Sequence, residues 1–190
     1  MSMGTKVLAA LFQSVTTRTA GFNTIDQGAM TLPSKLLSMV LMFVGASPAS
    51  TGGGIKTTTF CIMLMACASI IKGSGENIQF KYRRISVVLA IKAFVICTIS
   101  FMFVLLCSSM IMIFEQGLTF DAILFEAFSA FGTVGLSVGI TPGLSVASRI
   151  ILIITMFAGR VGPLTLTMAL AGTRQKKRLV KNVEASMMIG

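Results

Sequence analysis

The chain of 190 residues contains no histidine and only six acidic residues. Zinc sites built from cysteine and histidine are therefore excluded, and so is general base catalysis by histidine. No pair of carboxylates lies at a spacing suited to acid–base chemistry. These absences predict a protein that is not an enzyme and that has no covalently bound cofactor.

Charged residues are scarce as well. They make up 12% of the chain, against roughly 25% in an ordinary soluble domain. Hydrophobic residues reach 54%, and the mean hydropathy is +0.88. Such a chain cannot cover itself with a polar surface, so we predict a membrane protein in contact with lipid. Its length allows three or four spans of about 20 apolar residues each.

The few cysteines give no sign of a metal site or a redox motif. All four lie inside apolar segments, and none forms a Cys-x-x-Cys pair: Cys61, Cys67, Cys97 and Cys107. We interpret them as small packing residues.

The net charge of +10 comes from basic residues that cluster between and after the apolar runs. The two groups are Lys72, Lys81, Arg83 and Arg84, then Arg174, Lys176, Lys177, Arg178 and Lys181. The acidic residues Glu115, Asp121 and Glu126 lie around a connection between two spans. This asymmetry follows the positive-inside rule and predicts a multi-pass protein of the cell membrane, with its linker at 73–84 and its C terminus in the cytoplasm. No aromatic-rich basic surface accompanies the charge, which excludes a nucleic-acid partner.

The apolar runs follow a repeated order of short helix, glycine-rich loop and broken span. The predicted segments are short helices at 5–17 and 120–132, a broken span at 36–71, a full span at 85–114 and an interrupted span at 147–172. Superimposing Gly21 on Gly135 also aligns Thr19 with Thr133, Ala20 with Val134, Gly45 with Gly159 and Pro48 with Gly162. Internal repeats whose breaks match in this way are typical of channels and transporters.

Each short helix is followed by a threonine, a small apolar residue and a glycine. The two segments are Thr19-Ala20-Gly21 and Thr133-Val134-Gly135. Glycine allows the unusual dihedrals that turn backbone carbonyls into a pore, where they replace the hydration shell of a potassium ion. A helix that ends at mid-membrane also directs about half a negative charge at the ion. The alternative is a re-entrant structural turn in each case, but the presence of two copies favours a selectivity filter.

The break at 45–54 combines glycine, proline and small hydroxyl residues within a membrane span. Its glycines and proline include Gly45, Pro48, Gly52, Gly53 and Gly54. A regular α-helix cannot continue through such a segment. Our hypothesis is a flexible gating loop beneath the filter. The alternative is a kinked helix packed closely against a neighbour.

Two basic residues are candidate contacts of this loop. Arg160 lies at the equivalent depth of the last span, where a charge needs a partner. We predict that its guanidinium binds loop carbonyls, and the alternative is an arginine that reaches the membrane interface. Lys56 is a weaker candidate for the same network. The preceding glycines do not form a nucleotide-binding P-loop, because Ile55 separates glycine from lysine.

Four stretches together carry the motifs of a known family. They are Thr19-Ala20-Gly21-Phe22, Gly45-Ala46-Ser47-Pro48, Gly132-Thr133-Val134-Gly135 and Gly159-Arg160-Val161-Gly162-Pro163, each within a longer matching segment. In these stretches the chain resembles the Ktr/Trk/HKT superfamily of potassium transporters, and within it the bacterial Ktr membrane subunit. The resemblance covers nearly the whole chain.

The resemblance implies an all-α polytopic membrane protein, in which four helix–pore loop–helix repeats surround one pore. The four parts of this chain would be the pore helix, filter loop and broken second helix of repeat three (1–72), a basic cytoplasmic linker (73–84), all of repeat four (85–172) and a basic cytoplasmic tail (173–190). Gly21 and Gly135 would be two of four filter glycines, and 45–54 the intramembrane gating loop with Arg160 as its contact. The implied ion is potassium, with sodium as a candidate coupling ion. The implied partners are a second copy of the protein and a cytoplasmic ring of nucleotide-binding regulatory subunits of the KtrA or TrkA type.

The sequence departs from the family pattern in one large respect, because repeats one and two and the first helix of repeat three are absent. Two loops cannot close a fourfold filter, so the remaining repeats are expected from a longer coding sequence or from another chain. The sequence therefore predicts channel-like potassium uptake. The alternative is a non-conducting fragment or assembly subunit, and the preference between potassium and sodium stays open.

Overall fold

The computed structural model describes residues 2–48, 50–73, 78–80, 83–162 and 165. The elements are α1 (Met3–Thr16), α2 (Leu32–Phe43), α3 (Thr57–Ile71), β1 (Ile78–Phe80), β2 (Arg83–Ile85), α4 (Val87–Phe114), α5 (Phe120–Gly132) and α6 (Val146–Val161). The tail predicted at 173–190 lies outside the described residues. So does the end of the last predicted span, apart from residue 165.

The ends of these helices follow from local sequence. The Ser86 hydroxyl accepts a hydrogen bond from the Leu89 N–H at 3.3 Å, and Ser145 caps α6 in the same way. Pro33 lies in the first turn of α2. The N–H groups of a first turn have no acceptor within the helix, so a proline there costs no helical hydrogen bond. Gly162 follows α6 with a φ of +90°, a backbone conformation that glycine adopts readily and that does not continue the helix.

The helical fold that the sequence predicts is confirmed, with one addition in the linker predicted at 73–84. There β1 pairs with β2 in antiparallel register, with Ile78 opposite Ile85 and Phe80 opposite Arg83. Residues 78–80 alternate apolar, polar and apolar, which suits a strand. Three residues are too few for this alternation to identify a strand from sequence. The linker residues 74–77 and 81–82 lie outside the described part.

Among the described residues, α4 is the one helix long and apolar enough to cross a membrane, while α2 and α3 are shorter apolar helices. The buried residues of α4 recur every three or four positions, so that they form one face: Ala90, Ala93, Cys97, Ser100, Val104, Cys107, Ser108 and Ile111. Most of them are small, which allows close helix packing. Cys97 and Cys107 thus pack as expected, whereas Cys61 on α3 is exposed.

Helix α5 is the centre of the fold and packs against α2, α4 and α6. Phe125 and Phe131 on α5 are almost completely buried. Two glycines bring the neighbouring helices close to its end. A Cβ on Gly132 would lie 2.7 Å from the Met42 carbonyl oxygen, and one on Gly159 would overlap the backbone of Phe131. These close approaches fix where the chain leaves α5.

Glu115 connects the end of α4 to the start of α6. Its carboxylate accepts hydrogen bonds from the Ser145 N–H at 2.7 Å and from the Ser148 hydroxyl at 2.8 Å. The hydrogen bonds from Ser145 and Ser148 lower the pKa of Glu115 below its usual value. A carboxylate with a lowered pKa stabilises the folded state above the ordinary glutamate pKa, and this contribution is lost as the pH falls through the folded-state pKa.

We therefore expect Glu115→Gln to lower the thermal unfolding temperature of the detergent-solubilised protein at neutral pH. The difference from the unchanged protein should begin to narrow near about pH 4, the ordinary glutamate pKa, and should close only below the lowered folded-state pKa of Glu115. Circular dichroism melts at a series of pH values measure this. Ser148→Ala, which removes one donor and keeps the carboxylate, should give a smaller loss. A difference that stayed constant across the pH series would contradict the role of the carboxylate charge.

Candidate functional site

The segments that follow α1 and α5 share an unusual backbone. Thr19 has a φ of +68° and Thr133 a φ of +53°, and they are the two non-glycine residues with positive φ in the described part of the chain. Gly21 and Gly135 follow with φ values of +73° and +88°. Threonine rarely adopts this conformation, because its β-branched side chain is crowded there. Each site therefore stores backbone strain in the same Thr-x-Gly position.

The two segments lie in direct contact. A Cβ on Gly21 would overlap the Val134 carbonyl oxygen and would lie 3.8 Å from the Gly135 α-carbon. The Val134 backbone can approach this closely because Gly21 has no side chain. Backbone hydrogen bonds tie each segment to the helix before it, from the Gly21 N–H to the Thr16 carbonyl at 3.1 Å and from the Val134 N–H to the Ser129 carbonyl at 3.0 Å.

The break between α2 and α3 folds back on itself. The Ile55 N–H donates to the Phe43 carbonyl at 3.1 Å, which joins the two ends of the break. A Cβ on Gly45 would overlap the Gly53 carbonyl oxygen, and Gly54 has a φ of +73°. The base of the break is buried at Gly53 and Gly54, whereas its tip, which includes Pro48, is exposed.

This break lies directly against both threonines. The Gly53 N–H donates to the Thr133 hydroxyl at 2.9 Å. A Cβ on Gly53 would lie 2.6 Å from the same oxygen, and one on Gly52 would lie 2.8 Å from the Thr19 hydroxyl. The predicted filter segments and the predicted gating loop are therefore neighbours, and the contact runs through the threonine side chains.

Three cationic side chains bind carbonyl oxygens around the break. Arg160 donates from Nη1 to the Thr51 carbonyl, and the Gly54 N–H donates to the Gly159 carbonyl at 3.3 Å. Lys56 donates to the Ser50 carbonyl at 3.2 Å and to the Gly52 carbonyl. These are the contacts that the sequence predicts for Arg160 and Lys56. Their role in gating stays a prediction.

Arg18 is a third cation at the break that sequence reasoning missed. Its Nη1 donates to the Val44 carbonyl at 2.8 Å, at the end of α2. Arg18 is adjacent to Thr19 in the sequence, so a charged residue next to the candidate filter was the available signal. The contact itself joins residues 26 positions apart, which no local pattern predicts.

Two polar networks behind the loops were also missed. Gln13 on α1 exchanges hydrogen bonds with Gln27, which also donates to the Asn23 side chain at 3.1 Å. Glu126 on α5 accepts hydrogen bonds from Ser137, Val138 and Thr141. The charge pattern predicts Glu126 near the connection between spans, but its side chain is only 6% exposed inside α5. An acidic residue within an apolar half-helix was the signal.

An ion pair joins the starts of α2 and α5, where the Lys35 ammonium lies 2.9 Å from the Asp121 carboxylate. Among the described residues, no cluster of histidine, cysteine, aspartate or glutamate could hold a metal ion. The oxygen atoms of the segments 19–21 and 133–135 belong to backbone carbonyls and threonine hydroxyls.

Known proteins share this sequence pattern. Residues 1–180 match the TrkH family, described as a cation transport protein. The chain is 44% identical to the Ktr system potassium uptake protein B of Bacillus subtilis, over 90% of this chain and 38% of the relative. It is 38% identical to the protein of the same name in Vibrio alginolyticus, over 100% of this chain and 41% of the relative.

A third relative is the potassium/sodium uptake protein NtpJ of Enterococcus hirae, which is 37% identical over 94% of this chain and 40% of the relative. The chain thus spans about two-fifths of the length of these curated relatives. The family resemblance that the glycine motifs predict is confirmed over nearly the whole chain. The chain belongs to the TrkH family of cation transport proteins, a family of membrane transporters.

Proposed function

We propose that this chain supplies two neighbouring pore loops of a membrane pore that takes up potassium ions. The observation that carries the proposal is the contact between the Gly21 and Gly135 segments, with the Val134 carbonyl against the bare α-carbon of Gly21. Two loops with the same positive-φ positions, side by side, are the arrangement that a carbonyl-lined filter requires. The filter residues would be those of the two predicted segments, 19–21 and 133–135.

The helices around the loops support this proposal. α1 and α5 end just before the two segments, so the negative end of each helix dipole lies beside the proposed ion path. α2 begins at Leu32 and α6 at Val146, and these starts differ by the same offset as Gly21 and Gly135. We infer two copies of one helix–pore loop–helix unit, from repeats three and four. Further loops of the same kind complete the ring.

The identity of the ion is inferred from the relatives. Two of them are named as potassium uptake proteins and one as a potassium/sodium uptake protein. Potassium is therefore the proposed transported ion, and sodium is the candidate coupling ion. Passage needs no covalent chemistry, because backbone oxygens exchange with the ion's hydration shell.

The break at 45–54 is the proposed gate. It rests on the threonines of both filter segments, so an ion leaving the filter would meet it next. Arg160 and Lys56 bind its carbonyls and would hold it in place. Irregular backbone at membrane depth is tolerated where it is buried in protein or lines a water-filled path. The exposed tip of the break, which includes Pro48, favours a gate over a packed kink.

The proposed topology places the basic linker and tail in the cytoplasm, by the positive-inside rule. The chain would cross the cell membrane several times. The basic groups there are candidate docking sites for a cytoplasmic nucleotide-binding ring. A homodimer is proposed from the family resemblance. Most of the basic residues concerned lie outside the described part of the chain.

Uptake rescue in potassium-starved cells tests the proposal. The natural locus is expressed with whatever coding sequence or partner chain completes the pore, with and without Gly135→Ser. We expect the unchanged protein to restore growth at low potassium, because its filter is intact. Gly135→Ser should accumulate in the membrane to the same level but lose potassium rescue, because the Gly135 backbone can no longer hold its φ of +88° without strain.

Two outcomes would count against the proposal. If the unchanged protein accumulates but does not restore growth, a non-conducting assembly role becomes the better explanation. If Gly135→Ser restores growth as well as the unchanged protein does, the segment at 133–135 is not a filter. Rubidium uptake into the same cells measures the rate directly.

A further inference from the structure

Glu126 is a buried carboxylate that the proposed ion path does not use. It lies on α5, two turns before the end of the helix, and is 6% exposed. One carboxylate oxygen accepts hydrogen bonds from the Ser137 hydroxyl and from the Val138 N–H, the latter at 3.2 Å. The other accepts from the Thr141 hydroxyl at 3.1 Å. Three donors thus converge on one carboxyl group, which is fully satisfied inside the fold.

These donors lie on the segment that leaves the Gly135 loop. Ser137 and Val138 follow Gly135 by two and three residues. The inner end of the loop is held by hydrogen bonds from the Thr133 N–H to the Ala130 carbonyl and from Gly53 to Thr133. Glu126 holds the outer end. The backbone between these two anchors is the proposed filter.

Packing leaves one side of this loop open among the described residues. A hollow of about 360 Å³ lies beside it, and both Glu126 and Gly135 line the hollow together with Met156 of α6. No atom lies within 4 Å of a Cβ placed on Gly135. The position of the Gly135 backbone therefore depends on the hydrogen bonds at its two ends more than on side-chain packing.

The Gly21 loop has an anchor at the same place with different chemistry. Asn23 and Ser137 each follow a filter glycine by two residues, and Gln27 and Thr141 each follow it by six. In the first loop, neutral amides make the connection, because Gln13 and Gln27 are reciprocally hydrogen-bonded at 2.7 and 3.2 Å. The residues that follow the filter glycine are thus anchored to the preceding helix in both loops, through amides in the first and through a carboxyl group in the second.

We propose that Glu126 is a positioning residue that sets ion selectivity, by holding the outer end of the Gly135 loop through Ser137 and Val138. The inference rests on the proposed function. Discrimination between potassium and sodium depends on where the carbonyl oxygens lie and how many face the ion. In a loop that is released at one end, the carbonyl oxygens face the ion less uniformly, so sodium passes more easily.

The experiment compares potassium and sodium fluxes through the complete pore in proteoliposomes. Glu126→Ala removes the acceptor for all three donors, and we expect the potassium-to-sodium flux ratio to fall by about tenfold, the lower range seen when groups that orient metal ligands are removed. Glu126→Gln keeps one carbonyl oxygen for Ser137 and Val138, and its amide can donate to Thr141. It should therefore retain most of the ratio. Ser137→Ala removes one donor and should lower the ratio by a smaller factor.

A purely structural role for Glu126 predicts a different result, in which both fluxes fall together and the ratio is unchanged. That result in Glu126→Ala overturns the proposal. If Glu126→Ala does not accumulate, Ser137→Ala decides: a lowered ratio supports the proposal and an unchanged ratio overturns it. The matched control is Ser109→Ala, because the exposed Ser109 hydroxyl binds only its own helix carbonyl at Leu105 among the described residues.

Gly135→Ser separates this inference from the proposed function. If neither Gly135→Ser nor Glu126→Ala changes the ratio, both the filter assignment and the positioning role fail. If Gly135→Ser lowers the ratio while Glu126→Ala and Ser137→Ala do not, the filter assignment stands and the positioning role of Glu126 is wrong.

Discussion

Gly21→Ser should abolish potassium uptake by preventing the two filter loops from lying side by side. The added Cβ would overlap the Val134 carbonyl oxygen, which belongs to the backbone and cannot rotate away. The φ of +73° adds strain of about 1–2 kcal/mol for a residue with a side chain. The overlap and the backbone strain both disturb the contact between Gly21 and Val134. We expect the variant to show little uptake and reduced accumulation in the membrane.

Gly135→Ser is the matched comparison, because it makes the same chemical change in the other loop. Its φ of +88° is also strained, but in the described part of the chain no atom beyond its two sequence neighbours lies within 4 Å of the added Cβ. This variant should therefore accumulate normally and lose only its potassium transport. Gly117→Ser is the control, since Gly117 has open space and no positive φ. Immunoblots of membrane fractions and rubidium uptake separate loss of protein from loss of transport.

The contrast between the two glycines is what tests the geometry. If Gly21→Ser accumulates to the same level as Gly135→Ser, the close approach of Gly21 to Val134 is not a feature of the working pore. A Gly117→Ser variant that lost uptake would indicate that any added side chain in the connecting loops disturbs folding.

Arg160→Gln should raise the cation flux, because it weakens the hold on the proposed gating loop. Arg160 binds the Thr51 carbonyl, and the adjacent Gly159 carbonyl accepts from the Gly54 N–H. A hydrogen bond to a charged group contributes about 1.5 kcal/mol or more, so its loss would shift the balance between closed and open loops by about tenfold. Removal of a positive charge near the ion path acts in the same direction.

Flux measurements in proteoliposomes, normalised to reconstituted protein, measure this effect. Arg149→Gln is the matched control, because Arg149 lies on the same helix and binds the Pro142 carbonyl, away from the break. We expect that variant to conduct as the unchanged protein does. An Arg160→Gln variant with unchanged flux would favour an arginine that only reaches the membrane interface, and a lowered flux would favour a role in folding.

Much of the candidate site was predictable because its signals are local. A Thr-x-Gly segment after a half-length helix occurs at 19–21 and again at 133–135, and a glycine-rich break occurs at 45–54. The repeat offset then related Arg160 to the break before any contact was known. The start of α2 near Pro33 and the end of α6 near Gly162 also follow from local sequence, because proline restricts the backbone and glycine frees it.

No such local signal predicts the hydrogen bonds around Glu126 or the contact of Arg18. Glu126 finds its donors on a loop 11 to 15 residues away, and which loop residues face it depends on how the chain turns at Thr133. Arg18 meets Val44 only because α1 and the end of α2 are brought together by the folded loop. The strands in the linker were not predicted for a different reason, because three residues are too few to show the alternation of apolar and polar residues that is typical of a strand.

The sequence by itself determined that this chain is helical and apolar, where its helices break and which glycines recur at one offset, because helix propensity, hydropathy and backbone freedom are properties of neighbouring residues. Only the tertiary structure decided that Gly21 lies against Val134, that Gly52 and Gly53 meet Thr19 and Thr133 respectively, and that Glu126 anchors the second loop. These contacts join segments up to 114 residues apart, as the separation of Gly21 and Gly135 illustrates. They depend on how closely α2 and α6 pack on α5, which the glycines at 132 and 159 permit.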